Sequence, residues 1–262
     1  LDDPLLVRTE NGLQATPKAA AMLPEIRKAL QLVERSLSPP KAFQPQNSER
    51  RFTIASTDYF ETVIFPQLLS HLQQIAPGIR IDIQMIAEQN TRQQLESREV
   101  DLIVGIDAAR RVPSPLIKTP WVSEQQVCLT GSNNLRVGDA LTLEAYIQQP
   151  HVVFSDLAGE TASTVDSWLT GQQLQRLQIS RTVNYMAAAR IVAMTDAIMT
   201  LPYHMALLFT QMLPVRLVTP PESIPQLEMV TLHHPLFSND PALQWLQRQV
   251  QAFGQQVVAN TD

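Results

Sequence analysis

The residues of this 262-residue sequence that are best placed to do chemistry stand where short apolar runs stop. "RFTIAS" ends at Ser56, and Thr57 and Asp58 follow at once. Their hydroxyls and the neighbouring backbone N–H groups can hold a carboxylate or another polar group of a ligand; equally, Thr57 or Asp58 can cap the helix that begins there. Asp107 closes "DLIVGID", as an acceptor for a ligand or as the cap of a turn. Ser155 after "HVVF" and Asn184-Tyr185 within "TVNYM" occupy comparable edges, and Phe154 and Tyr185 can either stack on an aromatic guest or serve the core. All of this is binding chemistry. No Gly-x-Ser-x-Gly elbow, Gly-rich phosphate loop or His-Glu-x-x-His occurs, and nothing orders a Ser, His and Asp into a triad, so no enzyme is expected. His233 and His234 are adjacent on a strand and point to opposite faces, so no metal site or cofactor is expected either. The charge of the guest stays open: helix N-termini favour an anion, Asp58 and Asp107 oppose one, and no arginine is read at a strand end to clamp a carboxylate.

Strands must deliver those edges, and the pattern from Arg51 onward supplies them. "RFTIAS", "IRIDIQMIA" and "DLIVGI" read as strands, with "PQLLSHLQQIAP" and "NTRQQLESREV" as helices between them. Such alternation predicts βαβ units and a parallel sheet. After a proline-rich piece (Pro113, Pro115, Pro120) a second series follows: strand "QQVCLTG", helix from Thr142, strand "HVVFS", helix over 164–169, strand "TVNYM", helix "AAARIVAM" and strand "AIMTLP". Pro214, Pro220, Pro221 and Pro225 precede the strand "LEMVTLHH" and a last helix carrying Leu243, Leu246, Val250, Phe253 and Val257. Two proline-rich crossings predict a chain that leaves one lobe, builds a second and returns. Guests of such sheets settle at the carboxyl ends of parallel strands, where loops diverge.

Before this body, Thr16-Pro17 reads as N-cap and first helical residue. Leu23, Ile26, Leu30, Val33 and Leu37 then recur at spacings of 3, 4, 3 and 4. This narrow heptad seam predicts pairing with a second copy, the alternative being a helix lying on its own domain. Pro24 predicts a kink, or a true start at Leu23. "SPPKAFQPQNSE" reads as a linker.

A net charge of −5 with 20 scattered basic residues leaves no polybasic face for a phosphate backbone. Cys128, the single cysteine, sits in an apolar run as a small buried hydrophobe, and no disulfide framework exists. No apolar run of membrane-spanning length and no secretory leader is read, so the expectation is a cytoplasmic protein with no membrane partner.

"LVRTENGLQATPKA" resembles the end of the wing and start of the linker helix in LysR-type transcriptional regulators, through Leu6, Arg8, Gly12, Thr16, Pro17 and Ala19. "FPQLLSHLQQIAPGIRIDI" is similar to that family's Pro-x-Leu-Leu stretch through Pro66, Leu68, Leu69, Leu72 and Pro77. "ESREVDLIVG" is similar to its Gly-x-Leu-Asp-Leu-x-Ile-Gly signature, with Glu99 and Val100 taken as standing for glycine and leucine. "IVAMTDAIMTLP" has Thr195 and Ala197 where the family has two glycines, and with "ASTD" and "DPALQWLQRQV" it looks most like the nodulation and aromatic-acid-sensing subgroup. The resemblance implies an α/β fold of two Rossmann-like lobes, of the type II periplasmic-binding-protein kind, behind a dimerising linker helix. It divides the chain into a wing remnant (1–16), linker helix and hinge (17–50), lobe I (51–120 with 226–262) and lobe II (121–225). It implies a small-molecule effector, an organic or aromatic acid, bound by Ser56, Thr57, Asp58, Asp107, Phe154, Ser155, Asn184 and Tyr185, with His204 at the cleft rim. It also implies a homodimer or homotetramer that reaches DNA only through a winged helix-turn-helix lying before residue 1. The alternative function is a solute-binding protein of a transport system with the same two lobes.

Overall fold

A computed structural model describes residues 2–9, 12–37, 43–87, 90–155 and 163–259, with the side chains of 34–37 left aside. The chain divides into two compact units, 1–42 and 43–262.

In the first unit β1 (Leu6–Thr9) pairs antiparallel with β2 (Gly12–Ala15). Helix α1 (Pro17–Leu37) follows, and the Thr16 hydroxyl accepts from the Ala19 N–H at 3.1 Å, which is the expected cap. The helix starts at Pro17 and runs on through Pro24, so the later start at Leu23 does not occur. Leu23, Ile26, Leu30 and Val33 lie 45, 46, 56 and 53% exposed along it. The side chain of Leu37 lies outside the described residues.

The second unit holds two five-stranded sheets. The first has β3 (Arg51–Ser56) between parallel β4 (Arg80–Met85) and β5 (Leu102–Asp107). Beyond β5 come two antiparallel strands, β12 (Leu227–His233) and edge strand β6 (Ile117–Glu124). The second sheet runs β11 (Val215–Val218), β7 (Gln126–Gly131), β10 (Ile198–Pro202), β8 (Pro150–Phe154) and β9 (Leu177–Thr182). Helices α2 (Phe65–Ile75) and α3 (Thr91–Glu96) belong to the first series; α4 (Leu143–Gln148), α5 (Thr164–Gly171), α6 (Tyr185–Met194) and α7 (Tyr203–Met212) belong to the second. Helix α8 (Pro241–Ala259) returns to the first sheet, where the Trp121 indole donates to the Val250 carbonyl at 3.0 Å.

This is the expected α/β fold of two lobes, with three local differences. β6 keeps pairing with β12 up to Glu124, so the change of sheet falls at Gln125 rather than at 120–121. A proline on an edge strand removes no N–H that a second neighbour needs, so Pro120 does not end β6 and the register shifts there instead. "TVNYM" is not a strand: β9 lies just upstream, and Tyr185 opens α6 with the Asn184 side chain as its cap, accepting from the Ala187 N–H at 2.8 Å. Finally, the left-handed backbone in "ESREVDLIVG" is at Arg98 (φ 62°), which places the glycine position of the signature one residue earlier than Glu99.

Candidate functional site

The carboxyl ends of β3, β5 and β8 face one cleft between the two lobes, where a βαβ sheet leaves its loops free to diverge. The cleft is open to solvent. One wall carries Thr57, Gly105, Asp107 and Arg110; the opposite wall carries Phe154, Ser155, the start of α5, Arg176, Arg181 and Tyr185.

On the second wall the Phe154 and Tyr185 rings stack on each other with centroids 3.5 Å apart and planes 14° from parallel, an apolar pair in the cleft lining. Beside it Arg176, whose side chain is 5% exposed, donates to Asp166 at 2.7 Å and to the Ser163 hydroxyl at 3.2 Å. Ser163 caps α5, accepting from the Asp166 N–H at 3.1 Å. Burial alone would push the Asp166 carboxyl up; the bonds and charge of Arg176 outweigh it and hold the group below the usual carboxylate range. Asp166 and Arg176 therefore neutralise each other, while Arg181 stands exposed near the end of β9, 3.2 Å from the Gln178 amide oxygen. Arg110 follows β5 on the facing wall. Among the described residues, the cleft is lined by the charged side chains of Arg110, Arg176, Arg181, Asp107 and Asp166.

Asp107 and Asp58 each reach from one lobe to the other. Asp107 accepts from the Thr164 hydroxyl at the start of α5 and from the Ala109 N–H at 2.8 Å. Asp58 accepts from the Tyr185 N–H at 2.8 Å, placing a carboxylate from one lobe on the first turn of a helix in the other.

Of the residues singled out from the sequence, Thr57, Asp107, Phe154, Ser155 and Tyr185 line the cleft. Ser56 is buried behind it, Asp58 and Asn184 hold the start of α6, and the His204 Nδ1 lies 2.6 Å from a Glu124 oxygen. The reading that no arginine stands near a strand end is wrong: Arg181 is the penultimate residue of β9, and "SRTV" carried that signal once the strand is placed correctly. Arg176 and Asp166 are ten residues apart and meet only because α5 turns the chain back, which no local spacing announces. Cys128 is fully buried, and burial pushes its thiol up to about 12. Among the described residues no group of three or more His, Cys, Asp or Glu side chains is placed to hold a metal ion, and no helix is long and apolar enough to cross a membrane.

Residues 45–255 match the family LysR substrate binding domain. The chain is 28% identical over 232 residues to nodulation protein D 3 of Rhizobium leguminosarum bv. phaseoli, covering 88% of this chain and 76% of that one. It is 27% identical to the HTH-type transcriptional activator NahR of Pseudomonas putida, covering 95% and 82%. Among solved structures, a probable transcriptional regulator of Pseudomonas aeruginosa superposes with a TM-score of 0.73 at 25% identity, over 95% of this chain and 83% of that one. The regulatory domain of MexT, a transcriptional activator from the same organism, shares the fold with a TM-score of 0.67 at 24% identity, over 79% and 98%. These relatives are regulators, and a transport solute-binding role is not favoured. The two sheets, the cleft at their strand ends and the match over most of its length say the same thing: the chain belongs to the LysR family of transcriptional regulators and contains its substrate-binding domain.

Proposed function

We propose that this chain is the effector-sensing and oligomerising part of a LysR-type regulator, and that its effector is a planar aromatic carboxylate carrying one negative charge. The observation that carries the reading is the presence, in one cleft, of the stacked Phe154–Tyr185 pair and the exposed Arg181. An aromatic ring packs against this pair, and its carboxylate meets Arg181 through charge-assisted hydrogen bonds. Binding is the whole of the chemistry here, so the chain acts as a sensor and not as an enzyme. A guest that touches both walls binds one lobe arrangement better than others and shifts the population toward it. Helix α1, with its exposed seam, pairs two copies, and DNA is reached through a winged helix-turn-helix upstream, in the bacterial cytoplasm.

Calorimetric titration with a matched set of probes tests the effector class. Benzoate should bind, while benzamide and benzylamine, of the same shape but neutral or cationic, should bind at least tenfold more weakly. Arg181→Gln should weaken benzoate by about 10- to 100-fold, the loss of one charge-assisted hydrogen bond of ~1.5–3 kcal/mol. Benzylamine binding as well as benzoate would overturn the proposal.

A further inference from the structure

We propose that Glu124 is the positioning residue of the interlobe hinge, holding Tyr59 of one lobe and His204 of the other on a single carboxylate oxygen so that this contact sets how far the lobes open. Glu124 is the last residue of β6, directly before Gln125, where the chain changes sheets. It is 1% exposed. A carboxylate so dry persists only when its oxygens are hydrogen-bonded, and both donors come to Oε1. The Tyr59 hydroxyl, at the start of the helical segment after β3, donates to it. Burial foremost, and then the charge of Glu124, push the Tyr59 phenol far above its ordinary range, so it keeps its proton and remains a donor. His204, second residue of α7, approaches the same oxygen through Nδ1 at 2.6 Å. The acceptor is a carboxylate oxygen, so Nδ1 carries the hydrogen.

The surroundings mark this as the pivot. The Gln126 amide donates to the Pro225 carbonyl at 2.8 Å and the Ser123 hydroxyl donates to Gln226 at 2.7 Å, so the outgoing and returning crossings are tied together beside Glu124. The Tyr203 N–H donates to the Gln125 carbonyl at 2.9 Å, seating α7 on the first crossing. These bonds hold the strands, whereas the Tyr59–Glu124–His204 contact reaches outward into both lobes. Tyr59 is also among the residues that line the cleft, and its hydroxyl is bonded to Glu124. Any displacement of Tyr59 by a guest is therefore passed to the oxygen that holds His204.

The test measures lobe separation in the full chain with no ligand added, so its outcome is independent of the effector class. Cysteines placed at exposed Gln67 in α2 and Gln172 after α5 are spin-labelled, the buried Cys128 staying unlabelled, and distances are read by double electron–electron resonance. Glu124→Met, which keeps the volume and removes the acceptor, should shift the distribution to longer and more varied distances. Tyr59→Phe and His204→Phe each remove one donor; they should give smaller shifts in the same direction, and together the shift of Glu124→Met. Should Glu124→Met fail to fold, the two donor variants decide. Melting temperatures that fall while the distance distribution stays as in the parent would reduce the contact to ordinary packing and overturn the proposal.

Discussion

At the scale of single residues, the cleft wall depends on one atom too few at Gly105. Its φ is 91°, in the region that L side chains avoid, and a Cβ there would lie 2.4 Å from the Thr57 hydroxyl oxygen. That hydroxyl is buried and has no hydrogen-bond partner among the described residues. Gly105→Ala therefore adds backbone strain to a steric overlap, and the folded state should lose about 2–4 kcal/mol in urea unfolding. Thr57→Ala in the same background removes the overlapping atom and leaves the dihedral as it is, so it should restore part of the loss. If the double variant is no more stable than Gly105→Ala alone, the overlap is not the cause. Arg98 is the contrasting case, a left-handed position that glycine does not fill. Its guanidinium pairs with Asp240 and lies 4.3 Å over the Phe237 ring, contacts that offset a strain a glycine would have avoided.

At the scale of elements, β8 carries a titratable group where the sheet is driest. His151 is fully buried between β10 and β9; its Nε2–H donates to the Tyr146 carbonyl at 2.7 Å, and its Nδ1 has no partner. Burial, followed by the Arg176 charge, lowers it from 6.5 to about 4, outweighing the Tyr146 bond that raises it. Between those values the unfolded chain takes up a proton that the folded chain refuses, so the stability in place above pH 6.5 drains away as the pH falls toward 4 and then levels off. The window is worth about 3 kcal/mol at ~1.4 kcal/mol per pH unit. His151→Phe should flatten this part of the stability–pH curve in chemical denaturation; an unchanged slope would place the acid sensitivity elsewhere. The same elements show what could be read in advance. Period-two and period-3.6 patterns announced the strands and helices of both lobes because burial imposes them. "TVNYM" misled because Val183 and Tyr185 favour strands, while the Asn184 cap that starts α6 is a polar signal weaker than the apolar one. Moving the strand upstream is what brings Arg181 to a strand end, so the misplaced element and the overlooked arginine have one cause. Asp166–Arg176 and Glu124–His204 were illegible because each pair forms only after distant segments have met.

At the scale of the whole molecule, sensing in the cleft matters only if copies of the chain are held together, and α1 is the element with apolar surface to spare. A helix of 21 residues is marginal in water on propensity alone, and one that leaves four side chains of a heptad seam about half exposed has not yet found the surface that stabilises it. On the proposed reading a second copy supplies that surface, since a seam of Leu23, Ile26, Leu30 and Val33 is complementary to itself. Each such side chain is worth up to ~1.5–3 kcal/mol when fully withdrawn from water, so burying the exposed half of the seam on both helices favours pairing. Ile26→Glu with Leu30→Glu places four carboxylates in the seam of a dimer, and sedimentation equilibrium should then return the 29.3 kDa of a single chain. Ile26→Leu with Leu30→Met keeps the seam apolar and should leave the larger species intact. A parent chain that already sediments at 29.3 kDa at tens of micromolar would mean that the stripe on α1 serves some purpose other than self-association.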